Sequence, residues 1–450
     1  MALAPAAVAA RPVAAPTDRV RALTEPTTAS TKPGKPPGFV VLVATSGSYR
    51  IAAYCRAAEA LGRPVLVVSN SAHSLISAVA NGITVDFDDS DQALAIILEA
   101  TRGLEIACVL ATDDKCVALC SRVAEHLGLP RNSPDAARLT ARKDLARAAL
   151  TRAGCQTPRY QLINIADANP ADLQVTFPVV LKPLALSASR GVIRANNPAE
   201  FTAAVARIDA ILETAQQQGD ARRQLLAESY IDGDEYAVEG FVIDGEFKLL
   251  TIFDKPEPLT GPYFEETYYI TPSRLPETER DALVTEIARC CAAYGLTHGP
   301  VHAEARMSRN GPVLLELAAR TIGGQCGQLI EFSLQQKLEE LVIEAMCGAL
   351  PEPGEHRDAA GVLMIPITER GILKRIEGMT EALQTEYVRD LEVHINPGYE
   401  LVPLPEGASY LGFIFAQAPT FDQTWSALKT AYSKLRFVTG VSWGIEPGSG

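Results

Sequence analysis

Along the first third of the chain, short apolar runs alternate with amphipathic stretches of helical length. Gly38-Phe39-Val40-Val41-Leu42-Val43-Ala44 is apolar and β-branched, and small polar Thr45-Ser46-Gly47-Ser48 follows it, a pattern that predicts a buried strand ending in a tight turn. A helix through Ala53–Ala60 is closed by Gly62, and Pro64-Val65-Leu66-Val67-Val68 starts the next strand, giving a βαβ unit. Ala107-Cys108-Val109-Leu110-Ala111 reads as a further parallel strand ending in Thr112-Asp113-Asp114, with a helix after it that stops near Gly128. The expected fold is a small doubly wound, Rossmann-like α/β domain. Its first loop lacks the three-glycine dinucleotide fingerprint, so a nicotinamide cofactor is not indicated.

From Phe177 the rhythm changes. Strands are expected at about 179–182, 192–195, 225–230, 236–243 and 247–253 with one helix near 198–217, an order that suits an antiparallel α+β unit. Turn dipeptides Asp232-Gly233 and Asp244-Gly245 support it, the second lying between two apolar runs where a hairpin belongs. Past Pro351, Pro353 and Gly354 a mixed α/β segment runs to about 441. The organisation expected is a disordered Ala/Pro/Thr-rich leader over 1–37 and the α/β domain over 38–132. An α+β domain follows over 133–349, with a mobile lobe at about 177–240, then a C-terminal domain over 350–441 and a frayed tail over 442–450.

Net charge is −13, which argues against nucleic acid as a partner, so any bound phosphate must be met by a local basic site. No apolar run reaches the roughly 18 residues of a membrane span. The nine cysteines show no paired metal-site spacing, which fits a reducing cytoplasm; Cys116 and Cys120 could share a helix face and read best as buried small apolar residues.

Three segments carry candidate chemistry. Lys182 ends an apolar strand, and Ser187-Ala188-Ser189-Arg190-Gly191 follows, a small-residue loop whose N–H groups can approach phosphate while Lys182 and Arg190 supply charge. A surface turn with a snorkelling lysine fits the same residues. Leu225–Ile231 and the acidic turn after it put Glu228 and Glu235 where a ribose would need a carboxylate, although acidic turns are commonly just solvated. The third segment is a pair of apolar strands, Val301–Met307 and Val313–Arg320, joined by Ser308-Arg309-Asn310-Gly311 and each carrying one central carboxylate, Glu304 and Glu316. Two such carboxylates repel unless a cation lies between them, and magnesium beneath a triphosphate would resolve the conflict. The structural alternative pairs them with Arg306 and Arg320; Thr321-Ile322-Gly323-Gly324 follows with small residues that open space for a substrate. In the proline-rich loop 254–267, Glu266, together with His302, is the side chain expected near a substrate ammonium group, against the alternative of a solvated acidic loop.

The order of these pieces resembles the ATP-grasp superfamily over roughly 38–440, and within it the L-amino acid ligases and related carboxylate–amine ligases, through Gly299-Pro300-Val301-His302-Ala303-Glu304 and Leu315-Glu316-Leu317-Ala318-Ala319-Arg320-Thr321-Ile322-Gly323-Gly324. The resemblance implies ATP gripped between two α+β lobes, with Lys143 and Lys182 on the phosphates, Ser187 to Gly191 as a flap, and Glu228, Ser229, Tyr230 and Ile231 as the adenine hinge. It further implies Mg2+, or Mn2+ in its place, on Glu304 and Glu316, and Arg320 facing an acyl phosphate. Many family members carry an asparagine ligand where this chain has Ala318, so a second metal would rest on a bridging Glu316 with water. The implied activity is amide formation between small-molecule carboxylate and amine substrates, of dipeptide type, releasing ADP and phosphate, with a homodimer left open. The competing readings are a different carboxylate or a thiol acceptor, which product analysis would reveal, and a non-catalytic nucleotide-binding subunit, against which both glutamates and both lysines speak.

Overall fold

The computed structural model describes residues 37–70, 81–350 and 352–440; the expected leader and tail fall on residues outside these, apart from Pro37 at the leader's end. Two compact units divide at Leu129/Pro130.

In the first unit, β1 (Phe39–Val43), α1 (Ile51–Ala60), β2 (Val65–Ser69), β3 (Asn81–Thr84), α2 (Ser90–Ala100), β4 (Ile106–Ala111) and α3 (Asp114–His126) build a parallel sheet of order β3-β2-β1-β4. The strands are apolar on both faces because helices cover them, so Val41, Val43, Leu66 and Val68 join Cys116, Cys120 and Val123 in one core. Asp89 caps α2 by accepting from the Gln92 N–H. After β1 the chain turns at Thr45, whose N–H and hydroxyl both donate to Asp113 at 3.2 and 3.0 Å, tying that turn to the end of β4.

The second unit opens with α4 (Pro134–Ala141) and α5 (Lys143–Arg152), and then two sheets form from interleaved segments. The smaller contains β5 (Tyr160–Asn164), β6 (Val179–Pro183), β7 (Ile193–Ala195) and, after helix α6 (Pro198–Thr214), β8 (Gln224–Ser229), in the order β5-β8-β6-β7. Phe201, Ile208 and Leu212 of α6 are buried against Val179, Leu181 and Leu225 of that sheet. The larger sheet begins with the hairpin β9 (Asp234–Ile243) and β10 (Glu246–Asp254), closed by Asp244 and Gly245 at φ 51° and 82°, as the turn dipeptide requires. It takes in β11 (Tyr268–Thr271) and, after helix α7 (Glu277–Tyr294), the hairpin β12 (Gly299–Ser308) and β13 (Gly311–Ala318). Helices α8 (Gly327–Leu334) and α9 (Leu338–Met346) precede β14 (Ala359–Ile365), β15 (Gly371–Glu377), β16 (Val388–Val393), β17 (Glu400–Leu401), β18 (Gly412–Ala418), α10 (Phe421–Lys434) and β19 (Arg436–Gly440). The large sheet has eight strands in the order β13-β12-β9-β10-β11-β14-β18-β16, while β17-β15-β19 form a separate three-stranded sheet.

Two expectations change. The five strands expected in one antiparallel unit divide between sheets, with β6, β7 and β8 in the small one and β9 and β10 in the large one, so the small lobe extends back to Tyr160 and ends before Asp234. The reason is the Asp232-Gly233 turn, which passes the chain between sheets instead of folding it back. The segment after 350 also does not build only its own layer: β14, β18 and β16 continue the sheet of β9–β13 through the β11–β14 pairing, and Ile270 and Leu363 share a core with Ile414 and Leu428.

Gly233 lies at the crossing, at φ 121°, and a Cβ there would stand 2.0 Å from the Met307 carbonyl oxygen. At Gly245, φ is 82° but a Cβ would meet nothing within 4 Å. Gly245→Ala is therefore expected to cost about 1 kcal/mol for backbone strain alone, and Gly233→Ala distinctly more, because strain adds to a backbone clash. Chemical denaturation of the two variants side by side checks the order.

Candidate active site

Between the small sheet and the β12–β13 hairpin lies a cavity open to solvent, about 710 Å³ of empty space with the solvent at its mouth included. Val180, Leu186, Tyr230, Ile231 and Leu315 give it an apolar part, and Lys143, Lys182, Glu304 and Glu316 give it a charged part.

Lys182 stands at the end of β6, where β6 and β8 pair so that Val180 lies opposite Glu228, which makes Lys182 and Glu228 diagonal neighbours on one face. The Lys182 ammonium lies 2.8 Å from Glu228, and Arg147 of α5 meets the other carboxylate oxygen at 2.6 Å while donating to the Leu315 carbonyl. Burial alone would raise the Glu228 carboxyl, but Arg147 and Lys182 outweigh it and hold it down at about 2. Both oxygens of Glu228, the carboxylate expected near a ribose, are thus engaged by cations, and the residue lies on the cavity wall. Glu235, the other carboxylate expected near a ribose, also lies on the cavity wall, its oxygens meeting Lys255 at 2.7 Å and Arg306 at 2.9 Å.

Lys255, which follows β10, lies 2.6 Å from Glu266 and 3.1 Å from Glu304 as well, in the middle of three carboxylates. Burial disfavours its charge, yet the surrounding carboxylates hold its pKa well above the ordinary value. Burial and the neighbouring Glu304 charge push the Glu266 carboxyl up to about 7, while Lys255 and His302 keep Glu304 ionised. Oxygens of Glu235, Glu266 and Glu304 come within 4.8 Å of one another, a spacing that would suit a metal, but the Lys255 ammonium already occupies the centre of that trio.

Glu304 and Glu316 are direct partners across β12 and β13 and both face the cavity, their side chains 19% and 39% exposed. That open pair fits Mg2+. Lys143, the first residue of α5, approaches Glu316 at 3.6 Å and donates to the Leu186 carbonyl at 3.0 Å. The alternative pairing of the two glutamates with Arg306 and Arg320 does not form through Arg306, which is bound to Glu235 and donates to the carbonyls of Ile231 and Leu259.

Ser187 and Ser189 line the cavity, with Ala188 and Ser189 in the left-handed region at φ 55° and 53°. Arg190 and Gly191 turn away from it: the Arg190 guanidinium donates to the Glu406 carbonyl and the Gly191 N–H to the Pro405 carbonyl. His302 donates towards Glu239 at 3.2 Å and lies 3.6 Å from Glu304; against the cost of burial, these carboxylates push its imidazole up to about 9. The ring expected beside a substrate ammonium thus lies against two carboxylates, and His302 is not among the residues that line the cavity. Glu266 does face the cavity, but its oxygen is bonded to Lys255. Arg320, Gly323 and Gly324 stand off the cavity wall; Arg320 donates to the Thr321 carbonyl, and Glu239 accepts from the Ile322 N–H, fixing the turn in which they lie.

Arg147, Lys255, Arg306 and Glu239 are the residues that sequence reasoning missed. Lys255 had a readable signal, since it comes one residue after the largely apolar run Leu249–Phe253, much as Lys182 comes directly after Val179–Leu181. Arg147 had none: on a helix rich in Arg and Ala it looks like a solvated charge.

Family models match three stretches of the chain: an ATP-grasp N-terminal domain at 55–131, an ATP-grasp domain at 175–328, and the L-amino acid ligase C-terminal domain 2 at 363–440. The chain carries an ATP-grasp domain. A domain of this family implies ATP and Mg2+ as its ligands. Among similar proteins, dapdiamide A synthase of Enterobacter agglomerans is 27% identical over 49% of this chain and 53% of that protein, and carnosine synthase 1 of Gallus gallus is 29% identical over 66% of this chain and 33% of that protein. The ATP-grasp chain thus spans about half or less of the length of these two. The solved L-amino acid ligase of Bacillus licheniformis, 24% identical, superposes with a TM-score of 0.78 over 90% of this chain and all of that one, and so shares the fold. Among the described residues no helix is long and apolar enough to cross a membrane.

The buried Glu228 predicts an acid sensitivity. Its folded pKa lies below the ordinary carboxylate value, so its contribution is fully present above about pH 4.5 and is lost as pH falls towards 2. Glu228→Gln leaves Arg147 buried without its counter-charge and is expected to cost on the order of 3 kcal/mol at pH 7. Melting curves between pH 7 and 2.5 should show the gap between native protein and variant narrowing as pH falls.

Proposed function

We propose that this chain is an ATP-dependent carboxylate–amine ligase that activates a small carboxylate as an acyl phosphate and transfers it to the amine of a second substrate, at least one of the two being an amino acid. The observation that carries the reading is the cross-strand pair Glu304 and Glu316 facing the same cavity as Lys143 and Lys182. A triphosphate needs such a mixture: lysines for its oxygens and carboxylates for its cation. The match to the L-amino acid ligase C-terminal domain 2 supports an amino acid as substrate.

In this reading the apolar part of the cavity takes the adenine, with the backbone of Ser229 to Ile231 beside it. Lys143 and Lys182 neutralise phosphate charge, Lys182 being oriented by Glu228. Glu304 and Glu316 would hold Mg2+, which would supply further neutralisation of phosphoryl charge. The carboxylate oxygen of the first substrate bonds to the γ-phosphorus and ADP leaves; the amine nitrogen then bonds to the acyl carbon, phosphate leaves, and the amine gives up a proton. Arg320, beside the 321–324 turn, stabilises the oxyanion of the second step once substrate is bound. The small lobe, residues 160–229, is the part that moves.

A phosphate-release screen over pairs of amino acids and small carboxylic acids, with mass spectrometry of the products, tests the reading. Amide equal to phosphate released is expected; phosphate with a thioester, or no turnover with any pair, would overturn it. Glu316→Gln is expected to lower the rate on the order of a hundredfold with the melting temperature unchanged, a loss typical of one electrostatic contact to a transferring group. A rate near that of the native chain at saturating Mg2+ would remove Glu316 from the metal role.

A further inference from the structure

The small lobe is gripped from outside its cavity by two loops of the large-sheet body. From the loop before β18, the Glu406 carboxylate meets Arg207 of α6 in a two-point pair, Nε to Oε1 at 2.6 Å and Nη2 to Oε2 at 2.9 Å. The backbone of that loop continues the contact, with the Glu406 carbonyl accepting from Arg190 Nε at 3.0 Å and the Pro405 carbonyl from the Gly191 N–H at 2.9 Å. From the loop between β10 and β11, the Pro262 carbonyl accepts from the Arg194 N–H at 2.8 Å, the Thr260 carbonyl from the Arg194 side chain at 2.7 Å, and the Tyr263 hydroxyl bonds Arg207. The 403–407 turn is tight: the Gly407 N–H donates to the Pro403 carbonyl at 2.8 Å, and a Cβ on Gly407 would stand 1.9 Å from the Val402 oxygen.

These contacts fall on the back of the loop whose front lines the active-site cavity. Arg190 and Gly191 face the 405–406 backbone while Ser187, Ala188 and Ser189 face inward. We propose that residues 403–407 are a latch, closed by Glu406 on Arg207, that holds the 187–191 loop down over the cavity and keeps water from the activated acyl group. Glu406 and Arg207 are then positioning residues, since neither lines the cavity. The protective part rests on the ligase reading; the closure itself does not. The strength of the latch suits an opening device. Its ion pair is partly exposed, with side chains 42% and 33% accessible, so water and salt weaken it, and the two-point geometry resists shear without making closure permanent. Release of the acyl group to water would consume ATP without making amide, the loss a closed loop prevents.

Hydrogen exchange on the full chain without substrates tests closure. Glu406→Gln and Arg207→Gln should each speed exchange of the Gly191 and Arg194 amides roughly tenfold or more, and the double variant should be no faster than Arg207→Gln, because removing Arg207 already breaks the Glu406 pair along with the Tyr263 bond. High salt should speed the native chain and leave the double variant unchanged. With substrates, each variant should release more phosphate per amide than the native chain, which should remain near one to one. Unchanged exchange, or effects that simply add, would overturn the latch; faster exchange with an unchanged phosphate-to-amide ratio would overturn its protective role. If the native chain makes no amide from any substrate pair, the ligase reading fails, and the exchange result alone then decides closure.

Discussion

Ionised side chains are buried around this cavity, and they can be buried only because each has a partner of opposite sign. Glu228 is 1% exposed between Arg147 and Lys182, and Lys255 is 6% exposed among Glu235, Glu266 and Glu304. An isolated charge at such depth would neutralise or drag water in. Here the partners come from different elements, so satisfying the charges also fixes the elements: Arg147 joins α5 to β8 and to the β13 backbone, and Arg306 joins β12 to Glu235, to Ile231 and to the 259 carbonyl. The network is at once the polar floor of the site and a brace between the small sheet and the large one.

That brace leaves the open charges where phosphate chemistry needs them. Lys255 satisfies the inner carboxylates, so Glu304 and Glu316 present their outer oxygens to the cavity with Lys143 close by. His302, held cationic by Glu239 and Glu304, adds positive charge behind the same carboxylate, and Glu239 also holds the 321–324 turn through the Ile322 N–H. The small lobe, in contrast, meets the body elsewhere through exposed pairs and single backbone bonds, the kind of contact that can break and reform.

The elements themselves were legible because periodicity is a local property. The parallel strands of the first unit, the Asp244-Gly245 hairpin and the β12–β13 hairpin with one glutamate on each strand all follow from apolar runs and turn chemistry within about twenty residues. For the same reason Lys182, Glu304 and Glu316 could be singled out: a charge in or ending an apolar strand is conspicuous in the sequence alone.

What only the tertiary structure decided is which charges meet. Arg147 and Glu228 are 81 positions apart, and Arg207 and Glu406 are 199 apart, so nothing in local spacing distinguishes them from solvated side chains. The same limit hid the division of β6 to β10 between two sheets, because a strand's pattern records that one face is buried but not which strand lies beside it. Glu228 and Glu235 lie on the cavity because their own strands put them there, but the cations that engage them, Arg147 and Lys182 for one and Lys255 and Arg306 for the other, are brought to them by long-range folding that no local pattern records.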